Sequence, residues 1–286
     1  MSEKTESSYG VTALTEETIR SITIHAVMYG TAFLFLIPYA WMISSSLKTS
    51  QEALSPNPSW IPHTITFEWY IRLLTETFIV QWLINTLIIA LSTTVLVLVV
   101  DSMIAFAITR LDWPGQRYIL GIIIASFMVP GFVNIIPLFT LISDLGLINN
   151  YLAVVLPFAA GPIGVFLLVQ FFKEIPYELQ EAAQLDGFST FRIYLQIILP
   201  LSKSVLTALG LFIFVWSWNQ FLWPLIVLQQ EKAYTLPIGI VTVRNTYTYQ
   251  PALVMASAMI ASVPLFLVFL AVQDKLISAV EMQGVT

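Results

Sequence analysis

The chain contains no cysteine and only two histidines, His25 and His63. The first absence excludes a disulfide framework and thiolate metal sites, and the second leaves too few imidazoles for a histidine-based metal centre. Charge is scarce as well: Asp, Glu, Lys and Arg make up 10% of the 286 residues, where soluble domains average about 25%. No basic patch interleaved with aromatics occurs, so nucleic acid is not suggested as a partner. No G-x-x-x-x-G-K-[ST] stretch is present, and the chain therefore cannot cradle ATP phosphates by that device. No paired acid, base and nucleophile can be assembled in the apolar segments, which argues against a membrane-embedded enzyme. Internal repeats and low-complexity segments are also missing.

What fills the chain instead is apolar. Hydrophobic residues make up 57% and the mean hydropathy is +0.83, which predicts an all-α integral membrane protein. Six runs, at 22–46, 82–109, 118–142, 151–172, 204–229 and 253–273, are each near or above the roughly 20 residues that cross a bilayer core. The run at 22–46 exceeds the apolar core of a signal peptide and follows a polar tail, so it reads as a retained transmembrane helix. In the tail, 1–21, Thr15 is placed to cap a short helix with Glu16 and Glu17 in its first turn. The connection 47–81 carries Pro56, Pro58, Trp60, Pro62 and Trp69 and reads as an ordered cap. On the side of the N-terminus lie Lys4, Arg20, Arg110, Arg117, Lys173, Arg192, Lys203 and Lys275. The opposite side has Lys48, Arg72, Lys232 and Arg244. The positive-inside rule then places both termini and the loop 173–203 in the cytoplasm.

One polar stretch, 177–200 (YELQEAAQLDGFSTFRIYLQIILP), reads as two short helices and a turn. Pro176 suits a first helical position, and Glu178 falls where the helix dipole favours negative charge. Leu179, Ala182, Ala183 and Asp186 share one face by their spacing, and the two alanines allow another surface to approach. Gly187 permits the left-handed turn that ends the helix. Ser189 is placed to cap the second helix, on which Phe191, Tyr194, Leu195 and Ile198 form an apolar stripe. Pro200 is expected to end the unit.

Glu181-Ala182-Ala183, Gly187 and Ile197-x-Leu199-Pro200 match at every fixed position the EAA signature of ABC importer permeases. The likeness extends along the chain. Asn85-Thr86-Leu87-Ile88-Ile89-Ala90 resembles the opening of the second span in maltose-type sugar permeases. Ala105-Phe106-Ala107 with Arg110 and Pro114-Gly115 is similar to their first inner loop, with Phe106 in place of the usual tyrosine. Leu145 to Asn150, Phe171 to Pro176, Trp218 to Leu225 and Thr235-Leu236-Pro237 resemble further stretches of the same family. The tail Met282-Gln283-Gly284-Val285-Thr286 departs from the family's usual Gly-Ala-Val-Lys-Gly ending.

The resemblance implies a MalG-like subunit of a type I carbohydrate importer in the prokaryotic inner membrane. Its permease core would be 82–276, including the loop 177–200, with 277–286 as a cytoplasmic tail. Implied partners are a second homologous permease, two ABC ATPase subunits, an extracytoplasmic solute-binding protein and membrane lipid. The chain itself would be non-catalytic and bind no cofactor, with ATP and Mg on the ATPase. Glu181, Ala182, Ala183, Asp186, Gly187, Ile197, Leu199 and Pro200 would form the ATPase-coupling element. The same machinery for glycerol phosphate or a polyamine, and a standalone ion-coupled secondary transporter, are the alternatives. Near-neutral spans favour a neutral sugar over the former, and the lack of a second buried carboxylate or histidine disfavours the latter.

Two polar side chains stand out within the spans, Asn85 and Asp101. An ionisable group at such depth is costly and is a candidate for function, against the plainer reading of a carboxyl satisfied by neighbouring helices. Around the fifth run, Trp216, Trp218, Asn219 and Phe221 combine aromatic faces with an amide. That suits a sugar's C–H patches and hydroxyls, although packing and an interfacial aromatic belt use the same residues. The loop 230–252 is placed outside, where it could touch a solute-binding protein or merely connect two spans.

Overall fold

A computed structural model describes the backbone of residues 3–247 and 250–283, with side chains for 18–247 and 250–273. All regular structure among the described residues is helical. In chain order the helices are α1 (Glu3–Ser46), α2 (Glu68–Glu76), α3 (Ile79–Arg110), α4 (Gln116–Ser126), α5 (Gly131–Asp144), α6 (Tyr151–Phe158) and α7 (Pro162–Glu174). After them come α8 (Glu178–Leu185), α9 (Thr190–Leu201), α10 (Lys203–Trp218), α11 (Leu222–Val227), α12 (Leu236–Thr246) and α13 (Pro251–Gln283). Single turns at Ser50–Ala53 and Glu231–Ala233 complete the set. The short helix expected to start at Thr15 is absorbed into α1, which is helical from Glu3; that residue's side chain lies outside the described ones.

Three helices are long and apolar enough to cross a membrane, Thr18–Ser46 within α1, α3, and Pro251–Gln273 within α13. Three pairs pass the same test only together: α4 with α5, bent by 94°, α6 with α7, bent by 44°, and α9 with α10, bent by 79°. Proline accounts for two of these breaks. Pro130 closes the bend before α5, and Pro162 opens α7 at a position where no N–H is needed. The fifth apolar run, expected as one helix over 204–229, is likewise interrupted after Trp218 and resumes at Leu222. Pro224 cannot donate to the carbonyl of Gln220 four residues back. At the break, the Asn219 side-chain amide donates to the Val215 carbonyl at 2.7 Å, beside the backbone bond to the same oxygen.

Contacts divide the chain into two compact units. The first comprises Met1–Tyr70 with Tyr249–Met259, and the second Ile71–Thr248 with Ile260–Thr286. In the first unit the proline-rich segment after α1 is folded back on itself. Lys48, 2% exposed, donates to the Ser59 carbonyl at 2.5 Å and lies 4.2 Å from the Trp41 ring. Trp69 Nε1 donates to the Lys48 carbonyl at 2.7 Å. Glu52 accepts from Ser59 Oγ at 2.7 Å and from the His63 backbone N–H at 3.0 Å. These bonds hold its carboxyl well below the usual range, at about 2, with the Ser59 hydroxyl the largest cause.

The second unit is built on α3. Ile79, Trp82, Asn85, Thr86, Ile89, Ala90, Thr93, Val97 and Asp101 recur every three or four residues along one buried face. Its other face (Val80, Ile84, Leu87, Leu91, Val95, Val99, Met103) is apolar and exposed, as suits lipid or a neighbouring chain. Two apolar clusters pack on α3. One joins Val97, Ala105 and Phe106 to Val165, Leu168 and Phe172 of α7, Leu209 and Ile213 of α10, and Ala183, Ile193, Tyr194 and Ile198 of the polar stretch. The other joins Ile89 to Ile142, Val154, Trp223 and Val227.

Candidate functional site

The stretch 177–200 folds as two helices around a left-handed glycine. Gly187 has φ +80°. Its N–H donates to the Gln184 carbonyl at 3.0 Å, and the Phe188 N–H reaches the Ala183 carbonyl at 2.9 Å. That pair of bonds is the Schellman closure of α8. The Ser189 hydroxyl caps α9 by accepting the Arg192 N–H at 3.4 Å. Pro176 falls just outside α8, whose first turn holds Glu178 and Glu181.

Burial sorts the residues of this element. Ala183 and Gln180 are buried, whereas Glu181, Ala182, Asp186, Gly187 and Leu179 are exposed and Leu185 is 90% exposed. The expected shared face of Leu179, Ala182, Ala183 and Asp186 is therefore divided, with Ala183 packed into the first apolar cluster. On α9 the inward side chains are Ile193, Tyr194 and Ile198, while Phe191 and Leu195 of the expected stripe are exposed. Residues Tyr194–Ile198 are wound as a π-turn, which displaces the period that a regular helix would keep. That wider turn also carries the helix through Pro200, so the unit ends at Ser202 rather than at the proline. Ile197 and Leu199 are half-buried, and Pro200 is exposed.

The element is held to α3 by specific bonds. Tyr194 Oη lies 2.8 Å from Ser102 Oγ, and Gln180 Nε2 donates to the Arg110 carbonyl at 3.2 Å. The Arg110 guanidinium, 4% exposed, donates to the carbonyls of Phe172 and, at 2.6 Å, Ile175, at the end of α7. Tyr194, Gln180 and Arg110 were not singled out by the sequence for this task. A hydroxyl, an amide and a cation can bond many partners, and their pairing emerges only when α3 and α7 lie side by side.

The two intramembrane polar groups differ. Asn85 is saturated: Nδ2 donates to the carbonyls of Lys232 and Tyr234, both at 2.8 Å, and Oδ1 accepts from Gln81 Nε2 at 2.7 Å and Tyr151 Oη at 2.6 Å. With Trp82 Nε1 on the Glu231 carbonyl and Thr86 Oγ1 accepting the Leu236 N–H, both at 2.7 Å, it pins residues 231–236 to the start of α3. Asp101 is 0% exposed. Its Oδ1 accepts the Gly161 N–H at 2.9 Å, and its Oδ2 has no hydrogen-bond partner.

Around the break after α10, an open cleft of about 410 Å³ is lined by Phe212, Val215, Trp216, Asn219, Gln220 and Phe221. Three of the four residues proposed from sequence meet there. Trp218 does not line it and is instead buried beside the Phe214 ring, 5.7 Å away. Phe212, Val215 and Gln220 are additions, and Gln220 could have been suspected from its place beside Asn219 in the interruption. The Trp216 ring stands edge-on to Phe158 at 4.9 Å. Asn219 lines the cleft and spends an N–H on the Val215 carbonyl, and its own carbonyl oxygen is by chemistry an acceptor. Among the described residues no group of three or more His, Cys, Asp or Glu could hold a metal ion.

Comparison with known proteins gives concordant results. Residues 102–281 match the family model of the binding-protein-dependent transport system inner membrane component. The arabinooligosaccharides transport system permease protein AraQ of Bacillus subtilis is 34% identical, over 89% of this chain and 92% of its own length. The diacetylchitobiose uptake system permease protein NgcG of Streptomyces coelicolor is 29% identical, over 90% and 86%. The lactose transport system permease protein LacG of Rhizobium radiobacter is 28% identical, over 90% and 93%. A chain in the crystal structure of a bacterial ABC transporter that imports the acidic polysaccharide alginate superposes with a TM-score of 0.79 at 22% identity, covering 91% of this chain and 97% of that one.

Proposed function

The chain belongs to the family of binding-protein-dependent transport system inner membrane components, and from that premise we propose that it is a permease subunit of an ATP-driven importer for a sugar or oligosaccharide. It is a multi-pass inner-membrane protein with six crossings and both termini in the cytoplasm. It pairs with a second permease, two ATPase subunits and an extracytoplasmic solute-binding protein. The chain performs no chemistry on the solute; nucleotide closure in the ATPases supplies the bias between inward- and outward-facing states.

The observation that carries this reading is the construction of 177–200. Its inner side (Ala183, Ile193, Tyr194, Ile198) is part of the same apolar cluster as α3, α7 and α10. Its outer side presents Glu181, Ala182, Leu185, Asp186 and Gly187 to a neighbour. A displacement applied to the outer side is thus delivered to the helices without slack. At the other end, the cleft around Asn219 offers an amide oxygen, the Gln220 amide and aromatic faces, which fit a polyhydroxylated ligand.

The test is uptake into vesicles of the complete importer, with neutral oligosaccharides, glycerol phosphate and a polyamine offered in parallel. ATP-dependent accumulation of a neutral sugar is expected. Accumulation of only the charged solutes, or uptake indifferent to ATP, would overturn the reading. Asn219→Ala should raise the sugar concentration for half-maximal uptake, and an unchanged concentration dependence would remove it from the path.

A further inference from the structure

We propose that α3 and α7 are locked into one rigid body by a clamp at both ends of α7, with Asp101 and Arg110 as positioning residues. The direction of transmission assigned to this body rests on the importer reading above. A helix leaves unpaired N–H groups and positive partial charge at its start, and unpaired carbonyls and negative partial charge at its end. Helix α7 receives the complementary group at each. At its start, Asp101 Oδ1 accepts the N–H of Gly161, the residue just before the helix. At its end, the Arg110 guanidinium takes the carbonyls of Phe172 and Ile175.

Both clamping residues sit on α3, nine positions apart, or about 13 Å along the axis. The two helices therefore run in the same direction. Between the clamps the seam is dry and close: Ala105, Leu168, Val169 and Phe172 are all fully buried. Gly164 is required there, because a Cβ on it would lie 2.0 Å from Asp101 Oδ2 and 3.3 Å from Leu209. In a bilayer such packing and bonding hold helices together in place of hydrophobic exclusion.

The position of the clamp gives it a task. Its Arg110 end also carries the carbonyl that anchors Gln180 of α8, so the coupling element is bonded to the clamping residue itself. The Asp101 end holds Gly161, the last residue of the 44° break between α6 and α7. Just before that break, Phe158 bears on Trp216 in the cleft. Motion entering at 177–200 therefore leaves α3 and α7 in fixed register and is taken up at 159–161, beside the cleft.

The test uses the full importer with its other chains made cysteine-free and spin labels at Val99→Cys and Leu167→Cys, exposed sites on α3 and α7. The distance between them should agree within about 2 Å, the size of an interfacial helix shift, between nucleotide-free and ATP-trapped states. A larger change in the otherwise unmodified protein would overturn the clamp, and this measurement needs no destabilising variant. Combining Asp101→Ala with Arg110→Ala should broaden that distance distribution and lower sugar taken up per ATP hydrolysed by at least about fivefold, the low end of ordinary site-to-site coupling. Asp101→Asn, which keeps the acceptor for Gly161, should stay near the parent. A wild-type ratio in the double variant, or equal damage from Asn and Ala, would also overturn the proposal. A constant distance in a complex that imports no sugar would instead count against the importer reading and leave the clamp standing.

Discussion

Gly239 shows how little room some single positions have. A Cβ there would fall 2.0 Å from the Trp82 ring, and the ring cannot retreat because Trp82 is 1% exposed and its Nε1 is bonded to the Glu231 carbonyl. Gly239→Ala is expected to destabilise the protein by about 1–3 kcal/mol through overpacking. Thermal unfolding in detergent reads this directly, and an unshifted midpoint would refute it. Glu52 sets a second expectation, in pH. Its folded pKa, about 2, lies below the ordinary 4.5, so its bonds to Ser59 and His63 stabilise the folded segment fully above the ordinary value. That contribution fades as pH falls through the folded one. Limited proteolysis of the segment after α1 should show wild type losing protection over this window, while Glu52→Gln shows no such loss across it. Parallel pH curves would exclude the carboxylate as the cause.

At the scale of the element, Gly187 is the residue on which α8 and α9 turn, and its φ of +80° is one that a side chain strains by about 1–2 kcal/mol. Gly187→Asp should leave the chain inserted while lowering uptake per ATP hydrolysed, since the turn carries the outward face of the pair. Uptake and ATPase activity measured together would show it, and an intact ratio would dismiss the turn from coupling. This turn was legible in the sequence because its chemistry is local: a glycine after an amphipathic stretch, then a serine three residues before the N–H it caps. The inward face of α9 was legible only in part: Tyr194 and Ile198 of the expected stripe are buried, whereas Phe191 and Leu195 are exposed. A π-turn over Tyr194–Ile198 shifts which side chains point inward, and Tyr194 meets Ser102, ninety-two positions away in the chain. The interruption at 219–221 was signalled in the sequence only by Pro224, which removes a backbone bond and can kink a helix. Hydropathy continues across it. The pairings of Asp101 with Gly161 and of Arg110 with Phe172 are equally non-local, so composition could mark Asp101 as costly but not say what it holds.

For the whole molecule, membership of the binding-protein-dependent transport family implies an ATPase and a solute-binding protein as partners. Vesicles that contain this chain alone, with ATP and sugar supplied, should accumulate no solute, and uptake should appear only when ATPase and solute-binding chains are added. Accumulation by the lone chain would contradict the assignment.

Leu185 carries one more implication. A leucine 90% open to water, on a helical pair that also exposes Leu179 and Phe191, is apolar surface of the kind that marks an interaction site. A copy synthesised in excess of its companions would display that mark with its fold otherwise complete. Proteases would then trim such orphans, and the scarcest companion would set how many copies of this chain a cell retains.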